Sequence, residues 1–483
     1  MANSFTDKSL HENSSPSPVA SISFDGYIHR LHQLRWSPPP SPSASTVAIS
    51  GSLHQFRRSP PPSPSASMVA STVSISFDGR HLRSPPSVLT VTSTVSISFN
   101  GRLHRLPQLF FSISQGSESK KLIEDHLNKI NKPFVKSIHS PDGDIIDCVL
   151  FHLQPAFDRL ELKATVSSDP PTEPSNEQSK KGIASELKQK WSSKGESCPD
   201  GTIPIRRTRE YEIFRSVPVS YFGKSNSASI KTNNIYNGHE HAIGYGFGEF
   251  YGAKATLNVW APNVSNPSEF SLSHISISSD VPTDILNTIT AGWQVSPKLG
   301  KDNSPRLFIY WTKDGSRSGC YNLLCSGFVQ TSSKIALGAA IYPISTYNGQ
   351  QFDISLLIWK EPKSGNWWLK VGSSLVGYWP ATLFPNLQEK ATLVEFGGEV
   401  YNGLLGPHTS AEMGSGHFSN EGFGKAAYIR NLEVIDRKHK TNPLSKFSLL
   451  AEKRSCYDIT TGFADNWGHY IYFGGSGNEP TCT

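Results

Sequence analysis

From about residue 240 onward, apolar and polar positions alternate in short stretches. GAKATLNVWAPN (252–263), EFSLSHISISSD (269–280), PRLFIYWTKDG (305–315), KIALGAAIYPIS (334–345), FDISLLIWKEP (352–362), NWWLKVGSSLVGYWP (366–380) and ATLVEFGGEVYN (391–402) are rich in β-branched and aromatic residues. Each is bounded by Gly, Pro, Asn or Asp, and that spacing predicts an antiparallel sandwich or barrel. Helical periodicity is nearly absent there, the best stretch being Leu383–Gln388. Upstream, KKLIEDHLNKIN places Leu122, Ile123, His126, Leu127 and Ile130 on one face of a short amphipathic helix that Pro133 stops. A Pro-Asp-Gly turn and a β-rich run, Ile145 to Phe151, follow. Residues 166–195 are polar and read as a linker, and CPDGTIPIRRTRE (198–210) closes this smaller unit.

The first 116 residues have a different texture. SISFDGYIHRLHQL (21–34) returns as SISFDGRHLR (74–83) and SISFNGRLHRL (96–106), and SPPPSPSAS occurs at 37–45 and 59–67. Such blocks bury no core and are expected to be disordered or extended, a basic tether or Pro-rich docking segment at most. The formal charge of +6 sits mainly here: nine basic residues face four acidic ones, leaving about +1 on the rest. The body is therefore no basic nucleic-acid binder. Six cysteines (Cys148, Cys198, Cys320, Cys325, Cys456, Cys482), without CxxC or His-spaced partners, read as three disulfides rather than a metal site. Spacing alone leaves all the pairings open. Disulfides imply an oxidising, secretory compartment, and Asn263-Val-Ser is a glycosylation sequon. Against this, Met1–Ser15 lacks the apolar core of a signal peptide, so the natural N-terminus is expected elsewhere. No metal or phosphate-binding pattern is evident, no cofactor is expected, and no apolar run is long enough for a transmembrane helix.

Many ordered stretches resemble the plant-type neprosin family. GDIIDCV, QPAFD (154–158) and CPDGTIPIRR (198–207) are similar to its activation peptide. HEHAIGYG (239–246), AGWQVSP (291–297), GCYNLLCSGF (319–328), VGYWP (376–380), FGGEV (396–400), MGSGHF (413–418) and DNWGHYIYFGG (465–475) are similar to its peptidase domain. The resemblance covers Lys120 to Thr483, about three-quarters of the chain. It implies an all-β antiparallel sandwich preceded by a small α+β pro-segment. The layout is then a low-complexity leader (1–116), an activation-peptide-like pro-segment (117–210), a linker with the processing site (211–237) and the sandwich (238–483). The implied activity is a secreted, vacuolar or apoplastic zymogen, a glutamic-class prolyl endopeptidase working at acid pH. Its partners would be Pro-rich peptide or protein substrates and its own pro-segment as inhibitor, with no nucleic acid or membrane, and the chain is expected to be a monomer.

The resemblance places one catalytic glutamate before the AGW motif and the other in FGGE. Here the second is Glu399, with Glu395 four residues earlier, but the first is Thr290. Threonine does not titrate; it offers one hydrogen bond to a water or oxyanion. On a strand, Thr290 and Gln294 share a face with Cα atoms roughly 13 Å apart, too far for Gln294 simply to take over the role; Gln294 and Glu395 are kept as possible support. Loss of a general acid or base costs about 10²–10⁴-fold, which opens an alternative: a catalytically inactive sandwich that binds peptides or glycans. The plainer readings stand beside these: Glu399 fixing a bulge, Glu395 a surface charge, most tryptophans core, His417 and His469 structural. Trp293, Tyr378 and Trp379 are candidates for a proline-stacking subsite. Cys320–Cys325, Cys456–Cys482 and Cys148–Cys198 are the expected pairs. Asp142, Asp144 and Asp147 are candidate acid-labile groups holding the pro-segment down.

Overall fold

All but one of the alternating stretches become strands of two antiparallel sheets in the computed structural model, because each strand turns one set of side chains to a shared core; 334–345 yields only Ile341–Tyr342, which pairs outside both sheets. The structure describes residues 117–159, 170–175, 187–210, 212, 238–279, 286–300, 302–314, 319–403, 408–478 and 482, with short strands between 47 and 113. In that leader unit, Val47–Ile49 pairs Val73–Ile75, Leu89–Ser93 pairs Leu109–Ile113, and Ser96–Phe99 pairs Arg102–Arg105. The expected disorder of the remaining leader, and the processing site in 211–237 apart from Glu212, lie outside the described residues.

The activation unit starts with helix α1 (Ser117–Ile130) and a three-stranded sheet of β1 (Phe134–His139), β2 (Ile145–Leu150) and β3 (Thr202–Arg206), ordered β3–β2–β1. Ile123, Leu127 and Ile130 are half-buried, whereas His126 is exposed. Its imidazole is not needed on the apolar stripe. Asn131 then exchanges two hydrogen bonds with the backbone of Thr208, tying the helix end to the end of the unit. The β1–β2 turn needs Gly143, which sits at φ +82°.

In the sandwich, the strands are β4 (His239–Phe250), β5 (Gly252–Asn258), β6 (Phe270–Ser279), β7 (Asn287–Val295), β8 (Arg306–Thr312), β9 (Gly319–Tyr321), β10 (Val329–Gln330), β11 (Asp353–Lys360), β12 (Trp367–Val371), β13 (Ser374–Trp379), β14 (Ala391–Tyr401), β15 (Ala427–Ile435), β16 (Ser448–Ala451), β17 (Asp458–Ala464) and β18 (Gly468–Gly474). The front sheet runs β9–β8–β7–β6–β14–β4–β16. The back sheet runs β10–β13–β12–β11–β5–β15–β18–β17, with Thr441–Pro443 added beside β15. Between them lies the main core, which includes Ile275, Ile289, Ala291, Trp293, Ile358, Trp367, Trp379 and Phe396. The Leu383–Gln388 stretch yields only a 3-10 turn, Ala381–Leu383, since Leu387 is drawn into the core as irregular chain.

One sequence reading changes here, and the expected disulfide pairs are found. The polar stretch 166–195 is not simply a linker. Lys188–Gln189 pairs with Ile341–Tyr342, Trp191 is buried against Ala336 and Ala339, and Gln189 exchanges hydrogen bonds with the Ala336 backbone. Side-chain amides can dock a polar segment as firmly as apolar groups do. The disulfides join Cys148 to Cys198, Cys320 to Cys325 and Cys456 to Cys482. The first lies wholly within the activation unit and the others within the sandwich, so no disulfide crosses between them.

Candidate active site

The front sheet turns Ile289, Ala291, Trp293 and Val295 of β7 to the core, so Thr290 and Gln294 take its other face. Strand register extends that face sideways. His241, Glu399, Leu272 and Gln294 form one row across β4, β14, β6 and β7. Tyr245, Glu395, Ser276 and Thr290 form another, four residues along. Between them lies a row of Gly397, His274 and Gly292. A methyl on Gly397 would stand 2.2 Å from the Ala242 carbonyl oxygen, and one on Gly292 2.0 Å from that of Ser273. Only glycine permits these approaches, and their bare backbones leave a trough floored by His274. Its four corners are Glu399, Gln294, Glu395 and Thr290. A rim of Phe270, Leu272, Phe308, Tyr310, Tyr321 and Tyr401 packs around it.

Glu399 is the most strongly held group. His239 Nδ1 lies 2.5 Å from its Oε1 and His241 Nε2 3.8 Å from its Oε2. Burial alone would raise its pKa. The hydrogen bond from His239 and the charges of His239, His241 and His274 outweigh that and hold it at about 2. His241 also meets Glu452 Oε2 through both its backbone N–H and Nδ1, each at 3.0 Å. Burial pulls His241 down, but the Glu452 bond and the charges of Glu399, Glu452 and Glu395 raise it to about 9. His274 is pushed down to about 4 by burial and is neutral above that. The trough thus holds a carboxylate anion, an imidazolium beside it and a neutral imidazole beneath.

The other corners differ from Glu399. Thr290 Oγ1 lies 3.0 Å from Ser276 Oγ, a local hydroxyl pair. Gln294 Oε1 accepts from the Tyr321 hydroxyl, while its buried Nε2 has no partner. The amide is thereby oriented with a free donor on the row of Glu399. His274 Nδ1 is likewise buried and unpartnered. Glu395, read from sequence as a surface charge, is 1% exposed, because its strand position aims it into the trough.

Trp293, Tyr378 and Trp379 do not line this site. Trp293 packs between the sheets with Nε1 donating to the Asn258 carbonyl, and Trp379 lies in the same core. Tyr378 faces outward from the back sheet. Alternation forces this: a residue next to Gln294 on a strand points the opposite way. His417 pairs with Glu421 and stacks on Tyr347, and His469 packs against Phe447 and Phe463, both away from Glu399. Asn263 is exposed in its turn. The residues missed from sequence are His239, His241, His274 and Glu452. The His-x-His of HEHA, alternating on a strand, was the available signal for the first two.

The activation unit reaches the end of the Glu399 row. Gln294 is registered with Arg306, whose guanidinium binds Asp144 of the β1–β2 turn. Asp144 also accepts from Arg206 Nε at 3.1 Å, and Arg206 binds Glu212 and the Leu299 carbonyl. Of the three aspartates considered, only Asp144 spans the boundary. Asp147 pairs with Arg207 and Ser137 inside the unit, and Asp142 caps the Asp144 N–H.

Fold and face together define an antiparallel β-sandwich with a carboxylate-bearing trough and a pro-segment docked on it. Residues 267–476 match the family model described as Neprosin, and residues 137–245 the Neprosin activation peptide. The chain belongs to the neprosin family. Solved structures similar to it include Scytalido-glutamic peptidase with a peptide-based transition state analog, at 10% identity and TM-score 0.26, over 50% of this chain and 98% of that one. SCP-B of the Eqolisin family, with the tripeptide Ala-Ile-His, shows 10% identity and TM-score 0.24, over 49% and 96%. The Ruminococcus gnavus IT-sialidase CBM40 shows 8% identity and TM-score 0.16, over 37% and 80%. At such scores no chemistry is carried over from them.

Proposed function

We propose that this chain is the zymogen of a glutamic-class endopeptidase, secreted and monomeric, that cleaves proline-containing peptides at acid pH with Glu399 as its base. The observation that carries this is the carboxylate of Glu399, kept ionised down to about pH 2 by the histidines around it. A base that serves at acid pH must resist protonation there. Its carboxylate takes a proton from a water, whose oxygen attacks the scissile carbonyl. The free N–H of Gln294 donates to the oxygen that gains charge. Glu399 then returns the proton to the departing amine. Burial of the whole trough in this form, with Glu399 3% and Gln294 2% exposed, fits a precursor that works only after the pro-segment moves.

Thr290 favours a second reading, a sandwich that binds peptides or glycans without cutting them, since it removes a titratable group from one corner. Acid-treated full chain, incubated with a quenched proline-containing peptide, separates the two. Turnover that disappears in Glu399→Gln supports the peptidase. Turnover only in Thr290→Glu marks a chain that has lost catalysis, and none in either leaves the binding reading.

A further inference from the structure

The outer face of the back sheet carries a second row. Val329, Tyr378, Trp368, Trp359, Gly252 and Ile435 are registered neighbours across β10, β13, β12, β11, β5 and β15. Trp359 and Trp368 stack with centroids 6.4 Å apart, and Trp368 and Tyr378 lie at 4.6 Å. Large aromatics on the outside of a sheet need a cover, and here the activation unit provides it. Ala156 and Phe157 of QPAFD join the cluster, and Gln154 exchanges hydrogen bonds with the Gln330 backbone at the row's end.

A second piece of the same unit, Pro-Pro-Thr-Glu-Pro (170–174), lies at the other end. The Thr172 carbonyl accepts from Trp359 Nε1 at 3.0 Å and lies 3.0 Å from His439 Nε2. Lys370 pairs with Glu173 at 2.7 Å. Pro171 and Pro174 are the half-buried members, Thr172 and Glu173 the exposed ones. Prolines three apart fall on one side of an extended polyproline chain, and aromatic grooves with an indole N–H for a carbonyl are how such chains are held. Trp368 Nε1 is buried without a partner, a spare donor in the row.

We infer that, once the activation unit leaves, the row Trp359–Trp368–Tyr378 with Lys370 is a docking site for proline-rich segments of polypeptide substrates that carry an acidic residue between prolines. It is separate from the Glu399 trough, which lies on the other sheet, and the resident segment shows the mode of binding. The inference rests on the reading that the unit is released, but its test needs no turnover.

The test uses the full chain in the Glu399→Gln background, so no peptide is cut. Pro171→Ala, Glu173→Lys and Pro174→Ala together weaken the resident segment at positions open or half-open to solvent. A fluorescein-labelled PPTEPS peptide is then titrated by anisotropy. The weakened chain binds it about ten-fold or more tightly than the unweakened one, as expected when a tethered competitor is removed. In the weakened chain, Trp359→Phe costs about three- to ten-fold, one hydrogen bond's worth, and Lys370→Glu about three-fold. Equal affinity in weakened and unweakened chains, or indifference to both Trp359→Phe and Lys370→Glu, overturns the inference. If a thermal melt shows that Trp359→Phe no longer folds, the surface substitution Lys370→Glu decides alone. A failed peptidase assay would leave these binding results untouched.

Discussion

The outward faces of the two sheets make an instructive pair. On the front sheet, the face is built of histidines, carboxylates, an amide and glycines, with buried polar atoms such as Gln294 Nε2 and His274 Nδ1 left without partners. On the back sheet, it is an aromatic row whose Trp359 N–H is satisfied by the activation unit. Buried orphan donors cost stability, on the order of 1–3 kcal/mol each, so a face that keeps them is poor packing and good chemistry. The face of stacked rings keeps one such donor, Trp368 Nε1, and is otherwise closely packed. On the proposals above, the two faces would divide the work of reacting and holding.

That division can be broken most sharply at Glu399. Glu399→Gln keeps the shape and should lower turnover by about 10³-fold or more; a drop under ten-fold would move the base elsewhere. Gln294→Leu should cost roughly 10²-fold in kcat with little change in KM, as for a lost oxyanion donor. A change confined to KM would make Gln294 a binding residue instead. Asp144→Asn should weaken the docking of the activation unit, because it removes the charge that Arg206 and Arg306 share across the boundary; Arg206 keeps Glu212 and Arg306 keeps Asp302, so a loss of about 1–3 kcal/mol is expected. Electrophoresis across a pH series should show processing at higher pH than for the unmodified chain. The trough's titrations also mark stability. His241, raised to about 9, contributes fully below about 6.5, and that part is lost as pH rises through 9. Glu399, depressed to about 2, contributes above about 4.5 and loses that part as pH falls toward 2. His241→Gln should therefore flatten the decline in melting temperature between pH 6.5 and 9. The smallest effect is expected from Thr290→Val, under about three-fold in turnover; a larger loss would make its hydroxyl part of the reaction.

Much of this was legible beforehand. Alternation and turn residues gave the strands, and the resemblance, through FGGE, pointed to Glu399. The strand reading even placed Thr290 and Gln294 on one face, which should have sent Trp293 to the other. Aromatic character alone points to a subsite, but strand parity overrides it. His239, His241 and Glu452 are brought to the carboxylate by pairings of strands far apart in sequence, and single-chain periodicity does not report register between strands. The docking of 170–175 and 187–191 was hidden for another reason: their polar composition looks like linker, and their anchors are amides, a salt bridge and one indole.

The placement of the disulfides has a further consequence. While the chain is continuous, the activation unit meets the sandwich at an effective concentration set by its tether, on the order of millimolar for a short flexible one. Because no disulfide crosses between the two, a single cut between them turns that fixed occupancy into an ordinary bimolecular equilibrium. From then on, how much of the sandwich is uncovered would depend on volume: crowded material stays shut, and dilution opens it.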